Sequence, residues 1–309
     1  MQRANGAAVL QRANGVAVLQ RAHWRDRKAA PRTMSILEVI ILAVVQGVTE
    51  FLPVSSSGHL VLGAWILGAD DPGVAFDVAV HVGTLLALVV VFRAEGWALL
   101  AGLVGRRSLG TGSAGGSGLP PSRLLALVVV ATLPLAVVGL AVRDALDGPL
   151  RDPTWVGAFL IGTGVMLGAA DRFGRRTRAL ATIGARDSLR IGVAQAVAVL
   201  PGVSRSGMCM AAGMLHDVTR EGSALFALYL AAPAIGGAGL WAAYQLATDG
   251  AEAGVGVGEM ALGAAVSFVV AVVAIRGLLA LVRAYSLRVF VAYCLGAGVA
   301  VLAARAAGL

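Results

Sequence analysis

Beyond Met34 the chain alternates apolar stretches with short polar breaks, and the stretches come in two lengths. Long ones cover about residues 75–92, 123–142, 154–170, 223–245, 258–282 and 287–307. Each is near the roughly 20 residues that an α-helix needs to cross a hydrocarbon core about 30 Å thick. Short ones cover about residues 36–49, 59–69, 189–200 and 207–216. These are too short to cross and suit helices that enter a membrane and turn back. Both halves run in the same order, two short pieces and then three spans. The pattern predicts an all-α polytopic membrane protein with six transmembrane helices and two re-entrant helical hairpins. Its halves, about 35–172 and about 186–308, read as repeats within one membrane domain covering 34–309.

The polar breaks suggest an orientation. Loop 93–123 carries Arg93, Arg106, Arg107 and Arg123 against Glu95, and loop 171–190 carries six arginines against Asp171 and Asp187. The breaks at 143–153 and 246–259 are acidic on balance. Basic loops alternating with acidic ones put the basic loops in the cytoplasm. Three spans separate the two hairpins, so the hairpins would open to opposite sides, an inverted-topology repeat. The stretch 105–121, rich in Gly and Ser, reads as a flexible linker. Residues 1–33 hold a doubled Gln-Arg-Ala-Asn-Gly segment and then a basic run. They read as a disordered extension, or as sequence ahead of a true start at Met34.

Composition agrees with the pattern. The chain is 58% hydrophobic and 14% charged, against roughly 25% charged for soluble domains. The net charge of +8 therefore reads as basic loops rather than as a nucleic-acid surface. Cys209 and Cys294 both lie in apolar segments and read as small buried residues. No Cys/His zinc spacing is present in the sequence.

The chemistry sits in the breaks that split the short pieces. The first reads Gln46-Gly-Val-Thr-Glu50-Phe-Leu-Pro53-Val-Ser-Ser-Ser-Gly58-His59, and the second Gln195-Ala-Val-Ala-Val-Leu-Pro201-Gly-Val-Ser-Arg205-Ser-Gly207. They lie 149 residues apart, with six of thirteen positions identical. Paired broken helices in corresponding halves point to a binding site. The copies differ where it matters: Glu50 aligns with Val199, Ser56 with Arg205, and His59 with Met208. Ionisable groups at membrane depth are costly and read as functional. Arg205 offers a planar fork for phosphate oxygens. Ser and Gly residues opening a short helix after Gly58 would present backbone N–H groups to an anion. Glu50 can hold a divalent metal or accept a proton, and His59 can transfer a proton or attack phosphorus. These are parts for binding and cleaving a phosphorylated lipid.

The two motifs resemble those of the bacterial undecaprenyl-diphosphatases, also known as bacitracin-resistance proteins. The family pattern is an acid or Gln, three residues, then Glu-Phe-Leu-Pro-Val-Ser-Ser and Gly-His, matched here from Gln46 to His59. Its second motif, Pro-Gly-x-Ser-Arg-Ser-Gly, is matched from Pro201 to Gly207. The resemblance covers roughly residues 35–308. It implies hydrolysis of undecaprenyl diphosphate to undecaprenyl phosphate at the outer face of the cell membrane, aided by Mg²⁺ or Ca²⁺. It leaves a homo-oligomer open. Carried onto this sequence, Glu50, Ser56, His59 and Arg205 would be catalytic, with Ser56 and His59 both open as the nucleophile. Ser55, Ser57, Ser204, Ser206, Gly207 and Cys209 would contact substrate. Gln46 and Glu50 would face the metal.

Three positions depart from the pattern. Gln46 removes a carboxylate, Cys209 stands where the family usually has Thr, and His81 stands where it often has Gln. Simpler roles are also available. Gln46 and Gln195 read as bonding across helix interfaces. His81, on an apolar span, reads as a structural histidine with Asp77 one turn before it. His216, beside Asp217, reads as a solvated helix end, and the arginines of 172–190 as topology determinants. The rival reading of the whole chain is a polyprenyl-phosphate transporter or flippase using the same anion site.

Overall fold

The computed structural model describes residues 34–68, 73–97, 115–146, 149–249 and 255–308. The extension at 1–33 and most of the Gly/Ser-rich stretch lie outside the described residues. Among the described residues the regular structure is helical. The helices are α1 (Ile36–Thr49), α2 (Ser56–Leu67), α3 (Gly73–Val91), α4 (Pro121–Leu146), α5 (Pro153–Phe173), α6 (Ala185–Ala196), α7 (Arg205–Leu215), α8 (Arg220–Asp249), α9 (Val257–Ala284) and α10 (Arg288–Ala306).

Helix starts follow local chemistry. Ser35 and Glu38 form a reciprocal capping box at α1, with Ser35 Oγ accepting the Glu38 N–H and Glu38 Oε2 accepting the Ser35 N–H. Asp152 caps α5, and Pro153 fills the first position, where its missing N–H costs nothing. Gly68, at φ 60°, ends α2 in the left-handed conformation open to glycine.

Length separates two classes of helix. Among the described residues six segments are long and apolar enough to cross a membrane: Gly73–Val91, Pro121–Val142, Pro153–Phe173, Arg220–Leu246, Val257–Ala284 and Arg288–Ala306. They coincide with the six predicted spans. By contrast α1, α2, α6 and α7 have 14, 12, 12 and 11 residues. At about 1.5 Å per residue none reaches across a core about 30 Å thick. Large apolar side chains such as Val137, Leu140, Leu240 and Val273 are each at least 60% exposed along the long helices. Water would penalise such a surface, whereas lipid is its natural solvent. The chain is a multi-pass membrane protein.

The short helices are held between the long ones. α1 packs on α9, α6 on α4, α2 on α1, and α7 on α5, α6 and α8. α3 packs on α8 and α9, and α5 on α10. Buried hydroxyl and amide groups stitch these contacts. Ser188 Oγ donates to the Leu127 carbonyl at 2.5 Å, Gln195 Nε2 to the Ala131 carbonyl at 3.1 Å, and Ser267 Oγ to the Val80 carbonyl at 2.9 Å. Gln195 thus takes the interhelical role expected of it. The linker reading needs correction at its end: Ser117 and Leu119 are fully buried, and Leu119 joins the main apolar cluster.

The loop between α5 and α6 lies outside the six spans and is braced by ion pairs. Arg178 Nη2 donates to Asp187 Oδ2 at 2.8 Å, and Arg220 and Arg176 both pair with Asp171. The hydrogen bond from Arg178 is the main reason the Asp187 carboxyl titrates below its ordinary value. A lowered folded pKa contributes stability above the unfolded value of about 3.9, and loses it as pH falls through the folded value. The difference in unfolding temperature between wild type and Asp187→Asn in detergent is therefore expected to be largest near neutrality. It should shrink on acidification toward about pH 3.

Candidate active site

The site begins where α1 ends. The chain turns at Glu50 and runs through Phe51–Val54 to Ser55, which stands at φ 72°. A non-glycine residue there costs about 1–3 kcal/mol and persists only where its surroundings hold it. Here Ser55 Oγ accepts the Gly58 N–H at 3.4 Å. That cap starts α2 at Ser56, ahead of the start after Gly58 that the sequence suggests, so Ser56 sits on the first turn. Ser204 repeats the device for α7, its Oγ accepting the Gly207 N–H at 3.1 Å. Thr163 of α5 supports this second loop. Its Oγ1 accepts the Ser204 N–H at 3.0 Å and donates to the Gly202 carbonyl at 3.4 Å.

The two loops touch. Gly202, at φ 99°, leaves no room for a side chain, since a Cβ there would lie 2.7 Å from the Val156 carbonyl oxygen. A Cβ on Gly58 would lie 2.9 Å from Gly202 Cα. Across this contact Ser206 Oγ donates to the Leu52 carbonyl at 2.9 Å, and Arg205 Nη2 donates to Glu50 Oε1 at 3.1 Å. The first residues of α2 and α7 therefore meet at one carboxylate. Both helices bring partial positive charge from their N-termini to the same place.

Glu50 is the hub. It is 7% exposed. Its Oε2 accepts from Ser56 Oγ at 2.5 Å and from Gln46 Nε2 at 2.9 Å, and lies 3.6 Å from His81 Nε2. Two buried polar atoms beside it have no hydrogen-bond partner: Arg205 Nη1, a donor, and Gln46 Oε1, an acceptor. A buried unpaired guanidinium N–H is costly unless an anion takes it.

His59 is turned differently. Its Nδ1 lies 2.7 Å from the Ser55 carbonyl, which can only accept, so Nδ1 carries the proton. In the neutral ring Nε2 then accepts from the Tyr293 hydroxyl, 2.7 Å away on α10. The two rings stack with centroids 5.6 Å apart. The imidazole is thus oriented at both nitrogens, and neither bond reaches Ser56 or Glu50.

The expected site residues divide into two sets. Glu50, Gln46, Ser56 and Arg205 form one connected group. Ser55 and Ser204 each accept a capping N–H from their helix, and Ser206 ties its loop to Leu52. Ser57 is exposed, 3.5 Å from Ser55 Oγ. Gly207 offers its N–H to the cap, and Cys209 is packed in the main apolar cluster. Two readings need correction. Gln46 bonds Glu50 within its own helix instead of bridging helices. His81 faces Glu50 from α3, while its Nδ1 bonds the Asp77 backbone carbonyl at 2.7 Å. Tyr293 and Thr163 gave no signal in the sequence, since each acts on a motif residue far along the chain.

The family model described as bacitracin resistance protein BacA matches residues 39–300, a stretch that contains both loops. The chain belongs to the BacA family. It is similar to proteins named undecaprenyl-diphosphatase from Desulforudis audaxviator, at 46% identity, and from Hahella chejuensis and Idiomarina loihiensis, at 45%. In each pairing the match runs over 174 residues, 56% of this chain and 63% of the relative. Within the BacA family frame, the two loops are joined by Arg205 on Glu50 and by Ser206 on the Leu52 carbonyl.

Proposed function

We propose that this chain is an integral membrane phosphatase. It hydrolyses undecaprenyl diphosphate to undecaprenyl phosphate and phosphate, recycling the lipid carrier for peptidoglycan synthesis and giving bacitracin resistance. The names of its relatives supply the substrate. One observation carries the chemistry: Ser56 Oγ donates at 2.5 Å to Glu50, whose other oxygen is held by Arg205. An anion clamp alone would serve a carrier equally well. A hydroxyl bonded to a buried carboxylate is the arrangement of a nucleophile with its base.

In this reading Ser56 Oγ attacks the terminal phosphorus and gives its proton to Glu50. The bond from phosphorus to the bridging oxygen breaks, and undecaprenyl phosphate leaves. Glu50 passes its proton to the departing phosphate and is a carboxylate again. It then deprotonates water, whose oxygen attacks the phosphoserine. The bond from phosphorus to Ser56 Oγ breaks, Ser56 regains its proton from Glu50, and phosphate is released. Arg205 Nη1 takes a phosphoryl oxygen and neutralises charge that grows in the transition state. His59 keeps its one proton on the Ser55 carbonyl and accepts from Tyr293 at Nε2, so in this reading it holds the Tyr293 hydroxyl in place and is not the nucleophile.

The donor set also fits a divalent cation. Gln46 Oε1 is buried without a partner beside the Glu50 carboxylate. Among the described residues no three His, Cys, Asp or Glu side chains group to hold a metal. Mg²⁺ needs no such cage, because it commonly takes one or two carboxylates and completes its shell with water and substrate phosphate. Glu50 and Gln46 would hold it, and it would supply charge neutralisation at the diphosphate.

The finer fold follows the same proposal. Helices α1–α5 and α6–α10 read as two inverted repeats whose short helices form re-entrant hairpins. Support comes from pairing: α1 packs on α9 as α6 packs on α4, and α3–α8 and α5–α10 join equivalent members. The site would face outside, with the arginine-rich loop between α5 and α6 in the cytoplasm.

The testing experiment is phosphate release from long-chain polyprenyl diphosphate by the full chain in detergent with Mg²⁺ or Ca²⁺. Release that stops at the monophosphate is expected. No release by wild type would sink the reading and leave the carrier.

A further inference from the structure

We infer that His81 is a ligand of the divalent cation at Glu50, making this a mixed oxygen and nitrogen site that prefers a transition metal such as Mn²⁺ or Co²⁺. The inference rests on the cation site proposed above and deepens it.

His81 Nδ1 lies 2.7 Å from the Asp77 backbone carbonyl, which has no proton to give. Nδ1 therefore carries a proton, which leaves Nε2 as the ring atom free to take a ligand. That atom faces Glu50 Oε2 at 3.6 Å. A cation placed between the two atoms takes the imidazole lone pair and the carboxylate charge together. The separation is longer than the roughly 2.7–3.2 Å of an N–H···O hydrogen bond. A cation at about 2.1 Å from each atom spans it comfortably. Locking Nδ1–H onto a carbonyl is also how metal-binding histidines are usually oriented. Gln46 Oε1, buried and unpartnered, leaves an amide oxygen for the same ion. His81 is held in place for this role, because α3 packs firmly on α9, with Gly83 seated against Ala264 and Ser267. Imidazole draws selectivity away from Mg²⁺ and Ca²⁺, which favour oxygen, toward first-row transition metals.

The test uses Mn²⁺ alone, added to the untagged full chain in detergent, and reads pulsed EPR for nitrogen coupled to the metal. The chain has four histidines, so the source can be assigned. The expected result is ¹⁴N coupling that persists in His59→Gln and disappears in His81→Gln, with Mn²⁺ affinity weakened at least about 10-fold. A His23→Gln/His59→Gln/His216→Gln variant keeps His81 alone and should retain the signal, which covers the case in which His81→Gln fails to fold. Mn²⁺ binding that depends on Glu50 but shows no nitrogen coupling would overturn the role of His81 and leave the cation at Glu50 standing. Coupling lost only in His59→Gln would do the same. Absence of any binding lost in Glu50→Gln would overturn both.

Discussion

Ser56→Ala is expected to lower phosphate release from polyprenyl diphosphate by about 10³-fold or more, while leaving the protein folded. The magnitude is that of removing a nucleophile from a site whose anion clamp and positioning groups remain. The fold should tolerate the change. Ser56 is only partly buried, and its one hydrogen bond goes to Glu50, which keeps Gln46 and Arg205 as partners. The cap of α2 comes from Ser55 and is untouched. Thermal unfolding in detergent should therefore match wild type to within a few degrees, and substrate affinity should change little. A variant retaining more than a tenth of wild-type turnover would show that Ser56 is not the attacking group. In that event His59, with its Nε2 on Tyr293, becomes the alternative.

Arg205→Lys is expected to lower turnover by about 10²–10³-fold, with a loss in kcat larger than the change in KM. Arg205 has two jobs that one ammonium cannot do together. Nη2 holds Glu50, and the buried, unpartnered Nη1 takes a phosphoryl oxygen in the proposed mechanism. Lysine keeps the charge but loses the fork. If Nη1 acts mainly as charge grows in the transition state, the loss falls on kcat. Arg205→Ala is the less clean experiment. It strands Glu50, and breaking a buried ion pair on one side costs about 3–5 kcal/mol of stability. Arg205→Lys with an unchanged kcat and a raised KM would mean that the guanidinium only binds.

Much of this was legible in the residues. Hydrophobic run length separated six spans from four short helices, because a membrane imposes a minimum length that a sequence can display. The duplicated motif marked Glu50 and Arg205 because divergence between copies exposes what each loop contributes. What could not be read was contact across the fold. His81 looked structural because its nearest visible partner was Asp77, one turn away. Its distance to Glu50 depends on how α1 and α3 share the face of α9. Tyr293 lies 234 residues from His59 in the chain, and no local pattern links them. The serines carry a second role that the sequence did not display. A Ser-rich loop suggests a phosphate cradle, yet Ser55 and Ser204 are each needed as helix caps. Composition cannot distinguish a hydroxyl facing a ligand from one facing its own backbone.

The account stands on Ser56, activated by Glu50, forming a bond to the terminal phosphorus. The stereochemical course at that atom tests this most directly, using polyprenyl diphosphate whose terminal phosphorus carries sulfur, ¹⁶O and ¹⁸O, hydrolysed in ¹⁷O-labelled water. Attack by Ser56 followed by attack of water is two in-line displacements, so the released thiophosphate should show retention of configuration. Inversion would mean that water attacks directly and that Ser56 forms no bond to phosphorus, contradicting the account.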